Sequence, residues 1–184
     1  MRRRNAATAL TVAAVGMLAI LAVPSVAGAK SKAFSSGPIN RPIPNNDPVG
    51  VFAPVGVGKK GTVKDVNVAV RISHPNVSQL SLYLFKGEKY VRLATGVGGA
   101  GNNFGSGSAD CAGTFTIFDG AAPTFVQNGA APFNGAFRPS ESLAAYNGDK
   151  TKGTWRLLAI DSAGGTSGLV NCWVLGLKYK KKRK

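Results

Sequence analysis

Residues 65–72 read DVNVAVRI, in which aliphatic side chains alternate with other residues. Successive side chains of a β-strand point to opposite faces, so the aliphatic residues at positions 66, 68, 70 and 72 would share one face. Because that face must be buried, this stretch predicts one strand of a packed sheet. The same alternation recurs over residues 80–84, 155–159 and 173–179.

Turn-forming segments separate these stretches, at residues 74–76, 86–88 and 161–168. The chain contains 24 glycines and 10 prolines and shows no strong helical period. Short strands joined by tight turns predict an all-β fold, namely an antiparallel β-sandwich or jelly roll. The last two strands carry Trp155 and Trp173, which we expect to anchor the core because a buried indole removes a large apolar surface from water.

The chain opens with features of an export signal. Arginines at positions 2–4 precede an apolar run from Ala9 to Val23, followed by Pro24 and the small residues 27–29. This pattern predicts a cleaved secretory signal peptide over residues 1–29 and a secreted or cell-surface protein. The alternative is a membrane anchor, but about 15 apolar residues are short against the roughly 20 needed to span a bilayer.

The remaining chain divides into three predicted segments. Residues 30–44 are rich in Ser, Gly and Pro, which predicts a linker or an extended lead-in. We expect residues 45–179 to form the folded domain and residues 180–184 to form a basic tail. Export would place Cys111 and Cys172 in an oxidising compartment, where we expect them to form a disulfide. The alternative, a nucleophilic thiol, would depend on His74, the single histidine of the chain.

The net charge of +15 comes from 23 basic and 8 acidic residues, with much of the excess at the two ends. The tail suggests attraction to anionic surfaces such as lipid head groups, teichoic-type polymers or extracellular nucleic acid. Without interleaved aromatic residues, sequence-specific nucleic-acid binding is not expected. The tail's five cations are Lys180, Lys181, Lys182, Arg183 and Lys184.

One histidine and two cysteines argue against a zinc site, whereas acids at turns and strand edges suggest a structural calcium ion. The alternative is that each carboxylate accepts hydrogen bonds from the backbone of its own turn. The candidate ligands are Asp47, Asp65, Asp119 and Asp161, with Asn102 and Asn103 as additional oxygen donors.

Three aromatic residues in predicted loops, Phe133, Phe137 and Tyr146, also allow two interpretations. Exposed rings could form a sugar-binding platform. Buried rings would instead fasten the loops onto the ends of the sandwich.

Six motifs follow one another along the predicted domain. They are Asp65-Val66-Asn67-Val68, Ile72-Ser73-His74, Gly101-Asn102-Asn103-Phe104, Ile117-Phe118-Asp119, Ala131-Pro132-Phe133-Asn134-Gly135 and Gly153-Thr154-Trp155-Arg156-Leu157. Together these motifs resemble the P domain, also called P/Homo B, of proprotein convertases and kexin-like subtilases, and the resemblance covers about residues 43–179. This chain departs from the family pattern at Gln79, at the 86–88 turn and in the segment 108–114, which resembles an insertion.

In the convertases this domain follows a subtilisin-type catalytic domain, packs against it, and supports its stability and calcium dependence. Only His74 could serve as a triad base in the present sequence, and Ser108 and Ser162 lie in turn-rich segments, where a solvated hydroxyl is the ordinary interpretation. The resemblance implies a galactose-binding-like jelly roll that acts as a noncatalytic accessory or interaction module, whose partner is an exported subtilase or another cell-surface protein. We expect the module to be a monomer. The alternative is a cell-surface adhesion or carbohydrate-binding module.

Overall fold

The computed structural model describes residues 28–107 and 109–181. Residues 1–27 of the predicted signal peptide and Lys182, Arg183 and Lys184 of the tail lie outside the described residues. Within the described part, no helix has the length and apolarity required to cross a membrane.

Within residues 28–107 and 109–181, the fold consists of ten strands and three short 3₁₀ helices. The 3₁₀ helices are Val77–Gln79, Val126–Asn128 and Leu143–Tyr146. The strands are β1 (Ala29–Ser35), β2 (Arg41–Ile43), β3 (Asp47–Val57), β4 (Thr62–Ser73), β5 (Leu80–Lys86), β6 (Lys89–Thr95), β7 (Thr116–Asp119), β8 (Gly135–Phe137), β9 (Gly153–Asp161) and β10 (Gly168–Lys180).

The strands form two sheets that pack face to face. The six-stranded sheet has the order β1-β10-β4-β7-β8, with β2 also paired to β10, and the four-stranded sheet has the order β3-β9-β5-β6. All pairs are antiparallel except β7 with β8. The all-β sandwich predicted from the alternating residues is therefore confirmed.

The core lies between the inner faces of the two sheets. Val66, Val68, Val70 and Ile72 of β4 are at most 1% exposed, and β5 contributes Leu80, Leu82 and Leu84 from the opposite sheet. Both indoles, Trp155 on β9 and Trp173 on β10, are fully buried.

The segment 30–44, for which composition predicts a linker or an extended lead-in, includes most of β1 and all of β2. Strand β1 pairs with β10 from Ala29 opposite Lys180 to Ser35 opposite Val174. As an edge strand it is held mainly by backbone hydrogen bonds, and most of its side chains are exposed. An edge strand of this kind leaves no alternation of apolar residues in the sequence, so its pairing could not be predicted from the pattern.

Cys111 and Cys172 are joined by a disulfide, with their Cα atoms 5.9 Å apart, which confirms the predicted pairing. The bond fastens the loop between β6 and β7 to the middle of β10, 61 residues further along the chain. It therefore links a long glycine-containing loop to a central strand of the six-stranded sheet.

Candidate functional site

His74 lies at the end of β4 and is 1% exposed. Its Nε2 is 3.0 Å from Asp161 Oδ2, and its Nδ1 accepts a hydrogen bond from the Asn76 backbone N–H at 3.1 Å. A nitrogen that accepts carries no proton, so this arrangement assigns the proton to Nε2, which donates to Asp161. Both ring nitrogens are therefore engaged in a buried structural pair.

The described residues around His74 pack closely on its ring. A Cβ atom at Gly168 would overlap the backbone oxygen of Ser73 and His74 Cδ2, so β10 passes directly against the ring. Three nearby hydroxyls have other partners, since Ser73 Oγ donates to Asn171 Oδ1, Ser78 Oγ to Asn76 Oδ1 and Thr166 Oγ1 to Gln79 Oε1. Within residues 28–107 and 109–181, the ring nitrogens of His74 are bonded to Asp161 and to the Asn76 backbone.

The four candidate calcium ligands separate into two pairs, of which Asp47 and Asp161 form the first. These two residues face each other across β3 and β9. Asp161 Oδ2 contacts His74, its Oδ1 accepts from Ala163 N–H, and Asp47 Oδ1 accepts from Val49 N–H at 2.8 Å. Asp161 thus places one carboxylate oxygen on the His74 imidazole and the other on the backbone of its own turn.

Asp65 and Asp119 form the second pair, on the outer face of the six-stranded sheet. Asn67 lies opposite Asp119 in the register and donates from Nδ2 to Asp119 Oδ2 at 3.2 Å. Asn67 Oδ1 is buried without a hydrogen-bond partner among the described residues. Burial, and next the charge of Asp119, raise the pKa of Asp65, while Lys178 opposes this shift.

The pair of Asp65 and Asp119 supplies some of the oxygen ligands that a calcium ion requires. Two carboxylates and an amide oxygen are ligands that calcium accepts, although it takes 6–8 oxygens in all. Within residues 28–107 and 109–181, no three His, Cys, Asp or Glu side chains come together as a metal centre. Asn102 and Asn103 lie elsewhere, beside His74, whose backbone N–H donates to Asn103 Oδ1.

The loop aromatics belong to the core. Phe133 and Tyr146 are fully buried, and Phe137 packs against the same hydrophobic cluster. Phe133 stacks on Phe104 with ring centroids 4.9 Å apart, and Tyr146 meets Trp155 edge-on at 5.0 Å. These rings fasten the loops to the sandwich, so the sugar platform considered for them is wrong.

A different group of aromatic residues covers the outer face of the four-stranded sheet. We call it the aromatic face, and it comprises Phe52, Tyr83, Phe85 and Tyr90. Phe85 is stacked on Tyr90 at 5.2 Å and meets Phe52 edge-on at 5.4 Å. Tyr90 is 55% exposed. The sequence carries a signal for this face, because Tyr83 and Phe85 occupy the outward positions of β5, where polar residues are usual.

Two arginines lie across these rings. The Arg156 guanidinium is 4.6 Å from the centroid of Phe52 and 5.6 Å from that of Phe85, and its Nη2 donates to Gly87 O. Arg92 lies 5.8 Å from the centroid of Tyr83. The face therefore combines flat apolar area with positive charge.

The beginning of the predicted basic tail is exposed at the end of β10. Lys180 pairs in the backbone register with Thr62 of β4 and with Ala29 of β1, and Lys181 follows it. The tail thus leaves the domain beside the loop that joins β3 to β4.

Comparison with known proteins relates the chain to solved structures only through its fold. No family model matches it, and neither does any curated protein. A structure of the Aeromonas sobria serine protease in complex with the chaperone ORF2 matches with a TM-score of 0.50 at 15% identity, covering 83% of this chain and 27% of the matched chain.

A second structure, of the serine protease of Aeromonas sobria, matches with a TM-score of 0.50 at 14% identity, over 82% of this chain and 26% of the other. The crystal structure of FlhE has a TM-score of 0.49 at 12% identity and is covered over 99% of its length. At these identities the likeness is one of fold. The chain spans about a quarter of the length of the matched protease chains.

Proposed function

We propose that this protein is a secreted, noncatalytic accessory module of the P/Homo B type, which binds an exported serine endopeptidase of the subtilisin and kexin class. The motifs around Asn102 and Trp155 support the family assignment. The fold likeness to part of a serine protease chain is compatible with it. The module is exported through its N-terminal leader and acts as a single folded domain.

The arrangement around His74 supports a noncatalytic role. Catalysis by a serine triad requires an imidazole whose Nε2 is free to take a proton from the nucleophile. Here Nε2 faces Asp161 and Nδ1 accepts from Asn76, and the pair is enclosed by β10. The pair serves to connect β4 with β9.

The aromatic face is the observation that carries the proposed interaction. Aromatic residues and arginine are enriched at the centres of protein interfaces, and they supply much of the binding energy there. Phe52, Phe85 and Tyr90 form a contiguous patch, and Arg156 adds donors suited to a partner's carboxylates. We assign this face to the partner protein.

Carbohydrate binding is the second candidate, and the exposure of Tyr90 favours it. A sugar ring stacks on an uncovered aromatic face, and Tyr90 offers one. Phe52, by contrast, is covered by the Arg156 guanidinium, which a sugar would have to displace. The interlocked rings therefore favour a protein partner over a polysaccharide.

Affinity capture with matched variants tests this proposal. The immobilised protein is incubated with the secreted fraction of its source cells, and bound serine proteases are labelled with a fluorophosphonate probe. We expect the wild-type domain to retain a labelled subtilisin-class enzyme and Phe85→Ser/Tyr90→Ser to lose it. Phe125→Ser is the control, because Phe125 is 43% exposed and lies outside the aromatic face.

Three results would count against the proposal. Labelling of the domain itself would indicate a serine nucleophile in this chain. Retention of a polysaccharide without a protease would support the carbohydrate-binding alternative. Equal retention of the labelled protease by the wild type and both variants would show that the aromatic face does not contribute to the interaction.

A structural calcium ion is a separate part of the proposal. We place it at Asp65 and Asp119, where the unpartnered Asn67 Oδ1 supplies a further oxygen. The bound ion would offset the repulsion between the two carboxylates.

A further inference from the structure

The lysines of the described residues are segregated to one end of the sandwich, although they are scattered along the sequence. We call this the basic end. It is formed by the start of β1, the β3–β4 loop, the β5–β6 turn, the segment before β9 and the end of β10. Every lysine of the described residues lies there: Lys30, Lys32, Lys59, Lys60, Lys64, Lys86, Lys89, Lys150, Lys152, Lys178, Lys180 and Lys181.

The strand register places the end of β10 and the starts of β4 and β1, all in the six-stranded sheet, at the basic end. Lys180 of β10 lies opposite Thr62 at the start of β4 and opposite Ala29 at the start of β1. Thr62 also bridges to Lys150. The loops are bonded to one another, since Thr151 donates from its backbone N–H to Gly61 O and from Oγ1 to Lys59 O.

The four-stranded sheet contributes to the same end. Lys86, the last residue of β5, pairs in the register with Trp155 near the start of β9, and Gly153 lies opposite Val57. Lys89 begins β6 on the other side of the turn. The positive charge therefore extends across the ends of both sheets.

Acidic residues at the basic end leave most of this charge uncompensated. Asp149 is paired with Lys89 at 2.9 Å, and Asp65 lies opposite Lys178 in the register. Glu88 is exposed in the β5–β6 turn. The opposite end, built from residues 44–46, 74–79, 96–103 and 161–168, contains no lysine.

The chemistry of these cations indicates what they bind. Lysine is a flexible point charge without the planar fork by which arginine recognises individual carboxylates or phosphates. Ten of the twelve described lysines are exposed, all except Lys86 and Lys178. A group of exposed lysines therefore attracts any ligand with densely spaced negative charges and does not select one by its shape.

One depression at this end can receive a single anionic group. It has a volume of about 500 Å³ and is lined by Lys86, Lys152 and Arg156, together with Thr154 and the backbone at Gly87 and Gly153. Three cations around one opening suit a phosphate group.

We propose that the basic end docks onto the surface of an anionic phospholipid bilayer, with the phosphate of one lipid in the depression lined by Lys86, Lys152 and Arg156. A bilayer fits better than a linear polyanion because the lysines spread over two sheets packed about 10 Å apart, rather than along one groove. Polybasic surfaces attract anionic leaflets within a Debye length, without inserting apolar side chains.

Vesicle co-sedimentation tests this assignment. The probe is vesicles of phosphatidylcholine and phosphatidylglycerol in equal parts, compared with pure phosphatidylcholine, and the protein is purified after export. We expect binding only to the anionic vesicles, and its loss as salt rises from about 50 to 500 mM. The variant Lys60→Gln/Lys150→Gln/Lys152→Gln should bind roughly 100-fold more weakly, on the order of fivefold for each lysine.

The matched control is Asn45→Asp/Asn102→Asp/Ser162→Asp, which lowers the net charge equally at the opposite end. It should retain nearly all vesicle binding, and both variants should keep the wild-type melting temperature. Equal weakening by the two variants would show that net charge alone matters and would overturn the proposal. Binding to neutral vesicles, or tight binding of soluble polyphosphate without vesicle binding, would overturn it as well.

Discussion

The two tryptophans offer a matched pair of substitutions, Trp155→Phe and Trp173→Phe. Both side chains are fully buried in strands that face the core, so both variants lose a similar apolar surface. Their indole nitrogens differ. Trp155 Nε1 donates to Thr151 O at 3.1 Å, whereas Trp173 Nε1 is buried without a hydrogen-bond partner among the described residues.

The difference in unfolding free energy follows from these nitrogens. Replacing Trp155 removes a hydrogen bond that contributes about 1 kcal/mol. Replacing Trp173 removes an unsatisfied buried donor that costs about 1–3 kcal/mol, so part of the packing loss is offset. The losses of packing cancel to first order, and we expect Trp155→Phe to be about 2–4 kcal/mol less stable than Trp173→Phe. For a domain of this size the gap in melting temperature is roughly 4–16 °C.

This gap can be measured by urea unfolding, monitored by far-UV circular dichroism. The free energies of unfolding of both variants and the wild type are obtained by linear extrapolation to zero urea. Equal slopes with denaturant would show that the variants unfold from comparable states. A loss of stability for Trp173→Phe equal to or larger than that for Trp155→Phe would refute the reasoning, because the Trp173 nitrogen would then have a favourable contact.

Three further predictions concern the disulfide and the acidic pair. Replacing Cys111 and Cys172 by Ala should lower the unfolding free energy by about 4 kcal/mol through loop entropy, and an unchanged urea midpoint would contradict this. Because burial and Asp119 raise the pKa of Asp65, its carboxyl binds a proton more tightly in the folded state, and stability falls as pH rises through that pKa. In the calcium-free protein, Asp65→Asn should therefore raise the melting temperature at about pH 7 and change it little near pH 3; a lower melting temperature at neutral pH without calcium would contradict the assignment. Calcium added after chelation should raise the melting temperature of the wild type but not of Asp65→Asn. An unchanged wild-type melting temperature would contradict the proposed calcium site.

The sheets could be predicted where one face of a strand is buried and the other is not. Strands β4, β5, β9 and β10 alternate because their inner residues fill the core, as Val68 and Leu82 do. Strand β1 could not be found this way, since its pairing with β10 uses the backbone and leaves most of its side chains in solvent. The disulfide could be predicted because two cysteines allow only one pairing within the chain.

The sites depended on contacts that sequence spacing does not specify. His74 and Asp161 are 87 residues apart and meet because β4 and β9 end beside each other in opposite sheets. The loop rings of Phe133 and Tyr146 attract attention in the sequence but are buried. The exposed rings lie on strands, where their outward direction depends on the register.

The two proposed surfaces are compatible because they occupy different sides of the molecule. If the basic end rests on a bilayer, the strands run roughly along the membrane normal, and the aromatic face stands perpendicular to the membrane. A partner bound to Phe85 and Tyr90 would then lie beside the domain at the membrane surface. Arg156 connects the two surfaces, because it lines the phosphate-sized depression and also covers Phe52. Substitution of Arg156 should thus weaken both interactions, whereas substitution of Lys60 or Tyr90 should weaken only one.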